Sequence, residues 1–361
     1  MKQELHDRIE TLLPEWEELF RSDPEASPFT SPGWARAWSR SWLGSGRPWI
    51  IAVRENGQLT GLAPFVISRR GPFRTLSQLG GHPQRDVLAL PDARQQAVEA
   101  VAAEVVRRSQ EWDLLAVNCF PGDSRLVASL HRQGLRSHCR RRASYPGLAL
   151  PETFEEYLST LPKKRRSDLR RHLRRIDDGV LEVRQIHDAA AIAAAVSRWQ
   201  ELKVNWWDTR GARIHADQRG GRFAGFLNDV MSELVPAGIA EIWELHHSGE
   251  VVGVEMSLLD RRTFYSWEGG YDPAVAHLGP GKVAIGEAIR VAITGGRRYF
   301  DLMRGGQDYK YWYGASDREA ESLVLASNRP GSRAAQLVVM LRERLKRRGG
   351  LAGSDEEATA P

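Results

Sequence analysis

Residues 50–65, IIAVRENGQLTGLAPF, run apolar, turn through a short polar stretch with a glycine, and run apolar again. Residues 242–257, IWELHHSGEVVGVEMS, have the same form. Glycine permits the positive φ of tight turns, so ENGQ and HSGE predict β-hairpins. Gly57 matches Gly249 and Gly61 matches Gly253, each at an offset of 192. Downstream, a helical stretch at 93–108 precedes WDLL at 112–115, and another at 282–296 precedes FDLM at 300–303. Asp113 and Asp301 lie 188 apart. The repeated order of hairpin, helix and Asp-bearing strand predicts two related α/β units in tandem. Strands alternate with helices in both, so each unit predicts a mixed central sheet flanked by helices.

The first unit is expected over 1–148. Its helices fall at 1–20 and 29–44, with Ser31 capping the second before Pro32, and its strands near 49–54, 59–67, 86–90 and 113–119. Trp34, Trp38 and Trp42 recur at helical spacing and read as core. The second unit, 149–330, opens with a helix at 163–175, followed by helices at 188–208 and 220–237. Its strands are expected near 240–246, 251–259, 263–269, 299–303 and 321–326. Residues 331–361 predict a basic helix to about 348 and a disordered tail.

A length of 361 residues agrees with two domains, and 42% hydrophobic content with 12 Trp supplies their cores. No stretch approaches the roughly 18 apolar residues of a membrane helix, and the charged N-terminus MKQELHDRIE is unlike a signal peptide, so a cytoplasmic protein is expected. Two cysteines form neither a disulfide framework nor a metal spacing; Cys119, after an apolar run, reads as a core residue. The ten histidines are scattered without an HExxH, and no metal is expected.

The +5 net charge matters chiefly through its distribution. KKRRSDLRRHLRR at 163–175 holds eight Lys/Arg and one Asp. On a helix, Leu169, Leu173 and Ile176 share one side, Lys163, Arg166, Arg170 and Arg174 the next, and Lys164, Arg171 and Arg175 widen it. A solvated face and a phosphate-bearing or polyanionic partner both fit this pattern.

Four stretches carry a family likeness: PFTSPGWARAW (28–38), LPKKRRSDLRRHLRR (161–175), GGYDPAVAHLGPG (269–281) and FDLMRGGQDYKYWYG (300–314). In this order the chain resembles the GNAT-type N-acyltransferases, in particular the double-domain CelD-like group related to the FemA/FemB enzymes. The resemblance implies an N-acyltransferase taking an acyl group from a thioester such as acyl-CoA. The acceptor would be an amine of a sugar, a peptidoglycan precursor or another cell-envelope molecule, attacking directly and held towards the first unit. Aminoacyl-tRNA is the alternative donor, and a non-catalytic nucleic-acid- or anion-binding module is the third reading. Oligomeric state leaves no mark on the sequence.

Site residues follow from the same likeness. Lys310 would aim a cation at the donor phosphates or the developing oxyanion, with Tyr309 and Trp312 walling the pocket and Arg304 turning the chain out of the sheet. Glu268, Asp272 and Asp308 are candidate bases, each also readable as an ordinary turn or strand-edge acid. Gly279, Pro280, Gly281 and Lys282 would receive the donor phosphates at a helix start, although Ala276 stands where the family has Arg or Gln. A glycine turn that merely caps a helix reads the same stretch. Tyr271 and Asp86 would hold the acceptor, while His82 reads as a loop residue.

Overall fold

The computed structural model describes residues 1–83, 86–210, 221–327 and 329–348; the expected disordered tail lies outside them, as does the first residue of the expected helix at 220–237. The chain forms two compact units. One comprises 1–143 and residues from 319 onward, the other 144–318.

The first unit carries a mixed sheet in the order β1 (Lys2–His6), β2 (Arg47–Glu55), β3 (Gln58–Arg70), β4 (Phe73–Gln78), β6 (Leu114–Cys119) and β13 (Ser316–Ala326), with β5 (Leu88–Ala89) beside β3. Only β4 and β6 run parallel, over three pairs from Thr75–Leu114 to Ser77–Ala116. Helices α1 (Leu13–Ser22), α2 (Pro32–Trp42), α3 (Arg94–Arg107) and α4 (Arg125–Arg132) complete it. A Cβ at Gly61 would stand 2.6 Å from that of Ala97, so the glycine lets α3 lie on β3. Cys119 is buried, and burial pushes its thiol up to about 11, leaving it inert.

Both predicted hairpins are present. Asn56 and Gly57 turn at φ 51° and 87°, Ser248 and Gly249 at 51° and 86°. Each hairpin then slips by one residue, leaving Thr60 and Val252 without a facing partner, again 192 positions apart. The repeat thus extends to matching bulges.

Three expectations give way to tertiary pairing. Residues 2–6 are not helical: they pair with β2, where Arg54 binds Glu4 at 3.0 Å and Glu15 at 2.5 Å. Residues 136–149 form a strand, β7 (Arg136–Ala149), whose run of arginines and internal proline gave no strand pattern. Finally, the strand expected at 321–326 in the second unit belongs to the first. It makes six pairs with β6 and buries Leu323 and Leu325 beside Leu115 and Val117, so the second unit ends earlier than 330.

The second unit orders its strands β7, β12 (Tyr299–Asp301), β11 (Thr263–Tyr271), β10 (Glu250–Leu259), β9 (Ala240–His247) and β8 (Glu182–Ile186). Its helices are α5 (Phe154–Thr160), α6 (Lys163–Asp177), α7 (Ala189–Arg210), α8 (Arg222–Leu234), α9 (Pro280–Thr294) and α10 (Asp308–Trp312). The basic stretch is the amphipathic helix expected: α6 buries Leu169 and Leu173 against α9 at Gly286, where a Cβ would come within 2.7 Å of Leu169. Beneath the sheet's parallel pair, Phe264 and Phe300 stack at 5.2 Å between ring centroids.

Gly147 on β7 faces this junction. A Cβ there would lie 2.8 Å from the Phe300 carbonyl oxygen and closer still to the Tyr299 hydroxyl. A side chain can turn aside, but a ladder carbonyl cannot. Gly147→Ala is expected to cost about 1–3 kcal/mol in urea unfolding; an unchanged midpoint would show that the β7–β12 ladder yields.

Candidate functional site

In the second unit β11 pairs with β12 over only three parallel pairs, Thr263–Tyr299, Phe264–Phe300 and Tyr265–Asp301. There β12 ends while β11 continues to Tyr271. Just past the parting, β11 carries a bulge: Ser257 faces Ser266 and Met256 faces Glu268, leaving Trp267 extra. Bulges re-aim side chains, and here the result is a polar corner at the open strand edge.

Glu255 is its centre. It is 3% exposed, and its carboxylate accepts hydrogen bonds from Ser266 Oγ at 2.8 Å and Tyr271 Oη at 2.5 Å. Gly269 makes room, since a Cβ there would lie 2.5 Å from Glu255 Oε2. Burial pushes the carboxyl up to about 7, against the two hydroxyls and the Lys203 ammonium, which favour the charged form. Lys203 on α7 reaches Glu268 at 3.2 Å and the Gly269 carbonyl at 2.8 Å.

The other wall is the turn after β12. Asp301 accepts the Met303 N–H at 2.7 Å, and Met303 sits at φ 61°, a conformation L-residues seldom adopt. That twist points the Met303 and Arg304 carbonyls at Lys310, whose Nζ donates to them at 3.0 and 2.8 Å. Lys310 is buried; burial lowers its ammonium to about 8, opposed by Asp301 and Glu268. Two of its three N–H groups are engaged by those carbonyls. Asp301 is itself buried and pushed up to about 6 by loss of water. Tyr309 is half exposed, and its phenol is raised by burial of the hydroxyl end and by the nearby Glu255 and Glu268. Tyr157 donates to the Tyr313 carbonyl at 3.0 Å and ties α10 down.

A second feature adjoins Tyr271. Gly279, at φ 62° and ψ 49°, ends a 3-10 turn and starts α9, with Pro280 in its first turn. The Tyr271 ring lies against Gly281, where a Cβ would sit 3.2 Å away. On α6, Arg175 donates to the Leu278 carbonyl, and a Cβ at Gly279 would meet the His172 ring at 2.7 Å. Burial lowers His172 to about 4, helped by Arg175, Lys282 and Arg171, so a neutral ring sits among three cations at a helix start. Lys282 is exposed and rests over Trp312, 4.8 Å from the ring centroid.

Of the residues singled out in the sequence, Lys310, Glu268, Tyr271 and Tyr309 share the polar corner, while Gly279, Pro280, Gly281, Lys282 and Trp312 gather at the α9 start. Arg304 contributes a backbone carbonyl. Asp272 accepts the Ala274 N–H at 2.9 Å and caps the 3-10 turn, and Asp308 is an exposed first residue of α10. Asp86 lies in the first unit, accepting from Val87, Arg125 and Leu126 N–H groups at 3.0, 2.7 and 3.1 Å, which caps α4. His82, also in the first unit, stacks on Phe29 at 3.6 Å. Sequence reasoning missed Glu255, although a carboxylate inside VVGVEMSLL was a signal, because a core-facing acid needs a reason.

The first unit has a parallel ladder of the same three-pair length, but its edge is closed. Gln78 Oε1 accepts the Asn118 N–H at 3.0 Å, and Asn118 Nδ2 donates to the Gly81 carbonyl at 2.5 Å. Among the described residues no group of three His, Cys, Asp or Glu is placed to hold a metal.

Residues 163–311 match the family model of the GNAT acetyltransferase domain, so the second unit houses an acyltransferase domain. No curated protein sequence matches the chain. Among solved structures, FemX is 12% identical, with 94% of this chain and 100% of that one aligned at a TM-score of 0.66. A conserved protein of unknown function from Bacteroides thetaiotaomicron is also 12% identical, over 90% and 100% of the two chains, at 0.55. At these identities the likeness is one of fold.

Lys310 offers a direct check on the corner. Its folded pKa near 8 lies below the ordinary 10.5, so between those values the unfolded chain holds a proton that the folded chain has released. Stability from this group therefore rises with pH across that window. In urea unfolding, wild type is expected to gain on the order of 2–3 kcal/mol over Lys310→Met between pH 8 and 10.5. A constant difference would place the ammonium in water.

Proposed function

We propose that this acyltransferase domain moves an acyl group from an acyl-CoA thioester to a primary amine by direct attack. The single observation that carries the reading is Glu255, a buried carboxylate poised near 7 at the edge where β11 and β12 part. Groups so perturbed concentrate where proton transfer is needed. In this reading Glu255, directly or through a water, takes a proton from the incoming ammonium. The freed nitrogen lone pair attacks the thioester carbon, and the uncommitted N–H of Lys310 faces the developing oxyanion. The C–S bond then breaks as the carbonyl re-forms, and the proton that the attacking nitrogen now carries in excess passes, directly or through water, to the leaving sulfur, so that a neutral amide and a thiol result.

The donor's pyrophosphate would lie at the α9 start, where Gly279 gives close approach and Lys282 with Arg171 and Arg175 supplies positive charge. Those residues fit a phosphate even though Ala276 replaces the usual Arg or Gln. The outward face of α6, with exposed Lys163, Lys164 and Arg174, suits an anionic acceptor such as a sugar phosphate or a peptidoglycan precursor. The likeness to FemX supports a second reading, a Fem-like transferase with aminoacyl-tRNA as donor.

A thermal-shift titration separates the two. A thioester at 100 times its dissociation constant should stabilise the protein by about 2.7 kcal/mol, and Lys282→Glu should weaken that binding roughly tenfold. Stabilisation by charged tRNA alone would replace coenzyme A with the second reading, and no response to either would sink both.

The pH profile tests the chemistry. With an amine panel and thiol release as the readout, kcat/KM is expected to rise as Glu255 loses its proton near 7 and to fall as Lys310 loses its own near 8. Glu255→Gln should abolish the acidic limb and lower the rate by about 10²–10⁴-fold. An acidic limb that survives the substitution would assign the base elsewhere.

A further inference from the structure

α11 (Pro330–Arg348) is held on the first unit by one face. Ser332 and Ala335 are buried, Val339 packs on the cluster of Leu114 and Val324, and Gln336 Nε2 donates to the Val324 carbonyl at 2.8 Å. At 100° per residue the opposite face carries Ala334, Leu337 and Leu341. Leu337 is 57% exposed and Leu341 56%, the two most exposed leucines among the described residues. The last two turns, 342–348, hold five Arg/Lys and one Glu.

We propose that the outward face of α11 docks on a bilayer surface containing anionic lipid, with the leucines entering the interface and the cationic end meeting the headgroups. A basic helix that keeps an apolar stripe towards solvent has the composition of an interfacial helix. Among the described residues no helix is long and apolar enough to cross a membrane, so the docking is peripheral. Charge decides against a second copy of the chain as occupant, since pairing two such faces brings two cationic clusters together. A nucleic acid would engage the arginines but leave the leucines in water. The docking does not depend on which donor or acceptor the acyltransferase domain uses. It would hold the enzyme where acceptors carried on lipid are found.

The test is co-sedimentation of the full chain with vesicles of phosphatidylcholine alone and with about 30% phosphatidylglycerol. Binding is expected to be at least about tenfold stronger to the anionic vesicles and to weaken at about 0.5 M salt. The double variant Leu337→Glu/Leu341→Glu should bind neither, with an unchanged melting temperature because both side chains are exposed. Three results would overturn the proposal: no binding to anionic vesicles, equal binding to both kinds, or binding that survives the double variant. Light scattering that shows a wild-type dimer turned monomeric by the double variant, without vesicle binding, would assign the face to a second copy instead.

Discussion

Three residue pairs join β11 to β12, and the polar corner exists because there are no more. Up to Tyr265 and Asp301 the two strands satisfy each other, with the stacked rings of Phe264 and Phe300 holding the pair beneath. Beyond that point the chain after β12 turns away. A backbone edge inside a folded unit must find other partners. The Met303 turn supplies some of them: its carbonyl and that of Arg304 face inward and are met by Lys310. Were the ladder to continue, those carbonyls would be spent on β11 and the lysine would have no seat.

The same parting leaves charged groups where water is scarce. Glu255, Asp301 and Lys310 are each almost fully buried, and each is displaced from its ordinary ionisation in the direction that burial dictates. Neighbouring hydroxyls, carbonyls and opposite charges offset part of that cost but not all of it. The end of the first unit's parallel ladder is held by neutral groups instead: the Gln78 side-chain amide accepts the Asn118 main-chain N–H, and the Asn118 side-chain amide donates to the Gly81 carbonyl.

Much of the architecture was legible because it rests on local rules. The hairpins announced themselves through glycines that permit positive φ, and the repeat through the spacing of those glycines. The basic helix was readable from its wheel, since Leu169 and Leu173 mark the one face that can be buried. The elements that escaped are those whose partners lie far along the chain. β1 forms because Arg54 gathers Glu4 and Glu15, and β13 leaves the second unit because β6 offers it a six-pair ladder. No window of sequence contains both halves of such a bargain.

The site divides in the same way. Sequence by itself determined the tandem α/β plan, the glycine-rich start of α9 and the aromatic stretch around Lys310, because each depends on residue types at short spacing. It also suggested Glu268, Asp272 and Asp308 as bases and Asp86 as an acceptor residue; in the fold Glu268 pairs with Lys203, Asp272 caps a 3-10 turn, Asp308 opens α10 and Asp86 caps α4. Only the tertiary structure sets Glu255 apart from the other acids by its surroundings, the bulge at Trp267, the missing Cβ of Gly269 and the hydroxyls of Ser266 and Tyr271 closing around it. Ionisation is set by the solvent and the charges that surround a group, and those are decided by which distant strands the fold brings together or lets part.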